Sequence, residues 1–352
     1  KNCRFDAQNM RYIDEFRSKA LTIKLIDRIR TAADARREYK YMEVCGTHTM
    51  AIFRYGIRDL LPPNIRLVSG PGCPVCVTPA GYLDRAIAIA ALPGTMIATF
   101  GDMLRVPGSR SSLEKERAGG RSVKTVYSTD DALDMAGRNP GKEVVFLGVG
   151  FETTVPTVAA SIITARKRGI RNYSVLSAHK TMPEALEALV ADGDAGIDGF
   201  LLPGHVSAVT GTAPYGFLVN KYRKGCVVTG FEPVDILQAI LMLIGQKSPK
   251  LEVQYKRIVE PEGNPLALRI VMSVFEKSPS RWRGIGDVED SGLRIRKEFS
   301  EFNAALKFKV RVAPAHEDKS CICGMVLKGL KAPAECKLFG KSCVPDSPVG
   351  AC

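Results

Sequence analysis

The chain has 352 residues, 45% of them apolar and 25% charged, with ten cysteines and a formal net charge of +13. That length exceeds one comfortable core, so two or three domains are expected, and the composition is ordinary for a globular protein. Two classes are disfavoured: no run of about 18 uncharged apolar residues supports a membrane span, and scattered Lys and Arg without a recognition motif argue for a basic surface suited to an acidic partner rather than nucleic-acid binding.

The opening KNCRFDAQNMRYIDEFRSKA lacks the apolar centre of a signal peptide, so the expected location is cytoplasmic. Leu25, Ile26 and Ile29 recur at helical spacing among Arg and Lys, which predicts an amphipathic helix over 21–35. YMEV (41–44) reads as a short strand. CGTHTMAIFRYGIRDLLP follows, with Thr47 as the expected N-cap and Pro62 after the end. IRLVS (65–69) is strand-like, Thr78 and Pro79 cap and open a helix through GYLDRAIAIAAL, and MIATF (96–100) is a further strand. The polar, Gly-rich stretch 108–122 is the expected boundary or mobile loop. Strand-like VKTVY, EVVFLGV, YSVLSA, GFLLP and CVVTG then alternate with helical TTVPTVAASIITARKRG, TMPEALEALV and PVDILQAILMLIG. Such alternation predicts parallel sheets in α/β layers. Beyond Gly245 the pattern weakens to one expected helix near Leu293–Phe308 and a tail rich in Cys, Gly, Pro and Lys.

In a reducing compartment, ten cysteines point to metal or thiol chemistry rather than a disulfide framework. Cys3 and Cys226 stand alone, and Cys226 reads as a small buried strand residue. Cys45 and the pair Cys73 and Cys76 each follow an expected strand and precede an expected helix, about one βαβ step apart. If those strands are neighbours, ~4.8 Å apart, the three sulfurs can face one crevice. A helix N-terminus favours the thiolate, the form that attacks disulfides and ligates metals. The trio therefore suits a redox dithiol or a soft-metal site with an open position, against a structural zinc knuckle or plain buried thiols in a Gly/Pro turn. His48, on the same first turn as Cys45, is a candidate ligand, proton donor or cap.

Cys321, Cys323, Cys336, Cys343 and Cys352 crowd a segment with little apolar material, which calls for an inorganic staple. Their dispersed spacing does not match a two-knuckle zinc ribbon and tilts towards an iron–sulfur cluster. Five candidates compete for four positions, with the choice between Cys321 and Cys323 falling on Cys323. GVGFETT (148–154) carries Thr153 where a dinucleotide loop has its third Gly, so a tight strand-to-helix turn is the better reading. Glu152 is a candidate acid or cap-region charge, and His179 and His205 sit just past expected strands.

CGTH at 45–48, GPGCPVCVTP at 70–79, GFETT at 150–154, LSAHKTMPEA at 176–185, LLPGHVSAVTG at 201–211, FEPVDILQAI at 231–240 and the closing CKLFGKSCVPDSPVGAC together resemble the hydrogenase-maturation HypD family nearly end to end. The resemblance implies two parallel-sheet, Rossmann-like α/β domains plus a small Cys-rich iron–sulfur domain, here divided as 1–120, 121–245 and 246–352. It implies an assembly scaffold for the Fe(CN)2CO centre of [NiFe] hydrogenases, working with a HypC-type chaperone and a HypE-type cyanide donor. Iron would be held at Cys45 and a cysteine of the chaperone. Cys73 and Cys76 would act as a redox-active or iron-site dithiol, and the C-terminal cysteines would carry a [4Fe–4S] cluster feeding electrons to that dithiol. Many relatives have a second His where this chain has Met50, so position 50 receives no ligand role. The rival expectation is a stand-alone thiol–disulfide oxidoreductase turning over at Cys73 and Cys76.

Overall fold

The computed structural model describes residues 14–191, 196–315, 318–345 and 347–352; Cys3 lies outside them. Eleven strands are named among the described residues. They are β1 Tyr39–Glu43, β2 Ile65–Ser69, β3 Thr95–Thr99, β4 Val123–Thr125, β5 Glu143–Gly148, β6 Tyr173–Ser177, β7 Gly199–Pro203, β8 Gly225–Thr229, β9 Leu251–Val253, β10 Phe275–Trp282 and β11 Gly286–Ile295. One sheet runs β2-β1-β7-β8-β9 and another β4-β3-β5-β6. Every pairing in both is parallel. Helical crossovers cover parallel strands on both faces, so the strands read as continuous apolar runs; β3, β7 and β8 are buried at every position.

The expected α/β architecture with two Rossmann-like sheets is present, but the sheets do not follow the division at residue 120. One compact unit joins the described residues up to Ser69 with Gly196–Ala208 and Thr212–Pro261. The other takes the described residues of Gly70–Ala195 with Val209–Gly211 and Glu262–Cys352. The chain leaves the first sheet after β2 and returns to pair β7 beside β1, with Tyr41 opposite Gly199. Local pattern reveals each strand; which strands pair is decided by non-local backbone ladders that composition along the chain does not register.

In the first unit, helix Lys19–Ala32 is capped by Ser18 and buries Leu25, Ile26 and Ile29. Helix Pro233–Gly245 opens with proline at its start, and its Ile236, Leu237 and Ile240 join the same core. The helix after β1 spans Gly46–Arg54, and its N-cap is Cys45 rather than Thr47. Cys45 is extended (φ −150°), and its carbonyl already accepts the N–H of Thr49 at 3.1 Å, which starts the helix two residues earlier than expected.

The second unit packs Phe146, Val155, Ile162 and Tyr173 with Phe275, Leu293 and Ile295 of an antiparallel hairpin made by β10 and β11. The helix expected near Leu293–Phe308 is replaced by the end of β11, a 3-10 stretch Lys297–Phe302 and one turn at Ala304–Lys307. Alternate residues of β10 turn inward, and cross-strand pairing outweighs the weak helical periodicity. The polar stretch 108–122 is neither a boundary nor structureless. It holds helix Leu113–Ala118, capped by Ser112 with Leu113 buried, and Ser109 bonds Asp84 at 2.6 Å. In the tail, Cys323, Val326, Leu327 and Ala351 are the buried hydrophobic residues past position 318 among those described. No described helix is long and apolar enough to cross a membrane.

Candidate functional site

In the first sheet, β1 has β2 on one side and β7 on the other. Strand order reverses there, and crevices of open α/β sheets form at such switch points, beyond the carboxyl ends of the strands. Cys45 follows β1 and His205 follows β7. The Cys45 thiol is partly accessible. Burial pushes its pKa up, opposed by the backbone N–H and hydroxyl of Thr47 and the N–H of His48, while nearby Glu43 reinforces the rise. A cation at this sulfur would reverse that balance, because the helix N-terminus already directs N–H groups at it.

His48 is fully buried; its Nε2–H donates to the Gly230 carbonyl at 3.0 Å, and Nδ1 has no partner. Burial lowers its pKa to about 4, so it is a neutral imidazole at physiological pH. Phe231, just past β8, stacks on both His48 (4.7 Å) and His205 (3.8 Å). Glu43, the last residue of β1, is fully buried and accepts the hydroxyls of Ser69 (2.5 Å) and Thr49 (3.0 Å). Burial holds its pKa near 8, so this carboxyl is largely neutral and ties the end of β1 to the end of β2. Those strands are parallel neighbours, Glu43 opposite Ser69, which meets the condition set for a shared crevice, but Cys45 falls in the first unit and Cys73 and Cys76 in the second.

In the second unit, the switch point lies between β3 and β5. Cys73 and Cys76 are not bridged to each other, and the Cys76 N–H donates to Cys73 Sγ at 3.2 Å. The Cys76 thiol donates as well, which brings the Cys73 pKa down to about 7; Cys76, as the donor, is pushed up. A hydrogen bond between two thiols of a C-x-x-C pair favours ionisation of the accepting sulfur over the donating one. Asp102, past β3, opposes ionisation of Cys73, while Arg283 favours it at Cys76. Cys73 and Cys76 precede rather than occupy the first turn of helix Ala80–Ala90, whose N-cap is Pro79.

GVGFETT forms a tight strand-to-helix turn between β5 and the helix Val155–Arg168. A Cβ at Gly150 would fall 1.6 Å from Thr154 Oγ1, leaving no room for any other residue. Glu152 is buried, accepts the Met182 N–H at 2.9 Å and has its pKa raised to about 7 by burial, so it caps the helix after β6. His179 is buried, with Nδ1 3.0 Å from Ser177 Oγ. His179 belongs to the second unit and His205 to the first.

Among the tail cysteines, Cys336 Sγ accepts the N–H groups of Ile322, Leu338 and Phe339, which lowers its pKa. Cys343 Sγ accepts the Val349 N–H at 3.3 Å. Burial raises the Cys352 pKa first, followed by the neighbouring Cys321, Cys343 and Cys336. Cys321 is raised to about 11, mainly by burial. Cys323 is buried, and a Cβ at Gly350 would lie 2.7 Å from its own Cβ. Cys321, Cys336, Cys343 and Cys352 are close enough to influence one another's ionisation, and thiolates are the donors an iron–sulfur cluster takes. Among the described residues, no three His, Cys, Asp or Glu side chains stand close enough to hold a single metal ion. Sequence reasoning missed Glu43, Asp102, Phe231 and Arg283. A Glu ending an apolar strand was a readable signal for the first; Arg283 has none, being remote in the chain from every cysteine it serves.

Cys45 beside the switch point of one parallel sheet and the Cys73–Cys76 pair in the other unit define an α/β protein with two candidate thiol sites. The family model described as the hydrogenase formation hypA family (HypD) matches residues 20–352. The chain is 48% identical over 353 residues to the hydrogenase expression/formation protein HupD of Azotobacter chroococcum, covering 97% of this chain and 93% of that protein. It is 42% identical over 351 residues to the hydrogenase maturation factor HypD of Escherichia coli, covering 97% and 94%. The chain belongs to the HypD family.

Proposed function

We propose that this chain serves hydrogenase maturation as a thiol scaffold on which the Fe(CN)2CO unit of [NiFe] hydrogenases is assembled. The observation that carries the reading is Cys45: a partly accessible thiol on the N-cap residue of a helix beside a switch point, where the N–H groups of Thr47 and His48 favour its ionisation. The iron unit is cargo. Cyanide and CO are strong-field ligands that favour low-spin Fe(II), and thiolates complete its coordination. Cys45 supplies one thiolate and a HypC-type chaperone supplies another. Met50 and Phe53, exposed on the helix that Cys45 caps, offer apolar surface for that partner. A HypE-type cyanide donor then docks on the pair. His48 stays neutral and holds the β8 turn through Gly230, which fixes the helix and so the thiol.

Cys73 and Cys76 act as a redox dithiol, with Cys73 attacking. Cys336, Cys343, Cys352 and one of Cys321 and Cys323 would hold a [4Fe–4S] cluster, which supplies one-electron redox chemistry when bound. The test is iron and acid-labile sulfide content, with Mössbauer spectra, on anaerobic protein alone and with a HypC-type chaperone. Cys45→Ser is expected to abolish the low-spin iron gained with the chaperone while leaving sulfide unchanged; retained low-spin iron would end the proposal. The stand-alone oxidoreductase is a second reading, favoured by the polarised dithiol. It requires disulfide turnover without a partner, lost in Cys76→Ser and kept in Cys45→Ser.

A further inference from the structure

The turn between β10 and β11 touches two of the cysteine groups in the second unit. Arg283, in that turn, donates its backbone N–H to the carbonyl of Val77, the residue after Cys76, at 2.8 Å. Its guanidinium Nη2 donates to the carbonyl of Val349 at 2.8 Å, and the Val349 N–H donates to Cys343 Sγ at 3.3 Å. Three hydrogen bonds, joined through the Val349 backbone and the Arg283 side chain, therefore link Cys343 to the residue beside Cys76.

The turn has little freedom to absorb movement. Trp282 is fully buried and donates Nε1–H to Ser291 Oγ at 2.8 Å. Gly284, at φ +84°, would place a Cβ 3.0 Å from Cys323 Sγ. A Cβ at Gly324 would lie 2.4 Å from the Gly284 carbonyl oxygen. Arg283 itself is 8% exposed. A long cation held in a buried turn by one carbonyl, with its backbone N–H committed to a second and no acidic partner among the described residues, is an expensive structural tie unless the tie itself has a use.

We propose that Arg283 is a positioning residue that couples the dithiol loop to the C-terminal cysteine segment, so that the redox state of Cys73–Cys76 and the order of residues 343–352 depend on each other. The inference rests on the reading of Cys73 and Cys76 as a dithiol. When the disulfide forms, the two thiols give up two electrons and two protons to glutathione disulfide, which leaves as two glutathione thiols. The new S–S bond moves the Cys76 side of the loop, Val77 with it, and Arg283 passes the displacement to Val349. Coupling free energy is reciprocal, so releasing Arg283 from Val349 must also alter the dithiol equilibrium.

The test uses the full chain, purified anaerobically and equilibrated in glutathione redox buffers. The Cys73–Cys76 disulfide is read by peptide mass spectrometry, and order in 343–352 by amide hydrogen exchange. In the wild type, oxidation is expected to speed exchange in 343–352 at least threefold. Arg283→Met is expected to abolish that response and to shift the equilibrium at least fivefold towards the disulfide, about 20 mV at ~30 mV per tenfold. Arg283→Lys keeps the backbone bond to Val77 but, being shorter, reaches the Val349 carbonyl less well, and should lie between. A folded Arg283→Met with wild-type equilibrium, or with the response intact, overturns the coupling. Should Arg283→Met fail to fold, the wild-type response and Arg283→Lys decide: no response, or a lysine variant identical to wild type, overturns it. A wild type that never forms the disulfide removes the dithiol reading as well, whereas a disulfide that forms without moving 343–352 removes this inference alone.

Discussion

Replacing Cys76 by alanine isolates what polarises Cys73. The substitution removes the thiol that donates to Cys73 Sγ and keeps the backbone N–H of residue 76, 3.2 Å from that sulfur. With a pKa of about 7, Cys73 is half thiolate at neutral pH. Without the donor its pKa returns most of the way to the ordinary ~8.5, where only about 3% is thiolate at pH 7. Each thiolate then gains reactivity, because nucleophilicity follows basicity with a slope of ~0.4–0.5, about fivefold over 1.5 units. Cys76→Ala should therefore be alkylated at Cys73 by iodoacetamide about threefold more slowly at pH 7 and about fivefold faster above pH 10. The midpoint of the pH–rate profile moves up and the two profiles cross. The assay is mass spectrometry of the Cys73 peptide under anaerobic conditions from pH 5 to 10.5. An unmoved midpoint, or a variant slower at every pH, would refute the claim that the Cys76 thiol sets the acidity of Cys73.

Two further outcomes follow from buried charges. Asp235 is fully buried, paired bidentately with Arg257 at 2.7 and 2.8 Å, and accepts Gln254 Nε2 at 2.8 Å. Asp235→Ala should cost ~3–5 kcal/mol in urea unfolding, whereas Asp287→Ala, which breaks the exposed pair with Arg281, should cost under ~1 kcal/mol; equal losses would contradict the role given to burial. Lys180 is buried, donates to Ser280 Oγ and the Arg281 carbonyl, and has its pKa lowered to about 7 by burial. The unfolded chain binds this proton up to about pH 10.5 and the folded chain only to about 7, so stability rises with pH across that window. Urea melts should show wild-type stability gaining ~1 kcal/mol per pH unit on Lys180→Met between pH 8 and 10; a constant difference would mean that Lys180 is charged in the folded protein.

Much of this molecule was legible in its residues because the informative signals are local. Apolar runs bounded by Gly and Pro marked IRLVS, GFLLP and CVVTG as strands, and each is one. The helix around Leu25, Ile26 and Ile29 followed from periodicity alone. Cys45 and the C-x-x-C pair stood out because strand–loop–helix junctions are where parallel sheets expose side chains. The hairpin of β10 and β11 did not stand out. Its bulge between Ser278 and Ser280 interrupts the two-residue alternation, and strands this rich in charged residues carry little apolar signal.

Sequence alone determined the elements, the cysteine inventory and the family, since each depends on residue type and near-neighbour spacing. Tertiary structure alone decided that β7 returns beside β1, that Glu43 is a buried carboxyl bonded to Ser69 and Thr49, and that Arg283 reaches both Val77 and Val349. Those facts depend on which distant segments exclude water from one another, and burial of that kind is set by the packed chain rather than by any stretch of it.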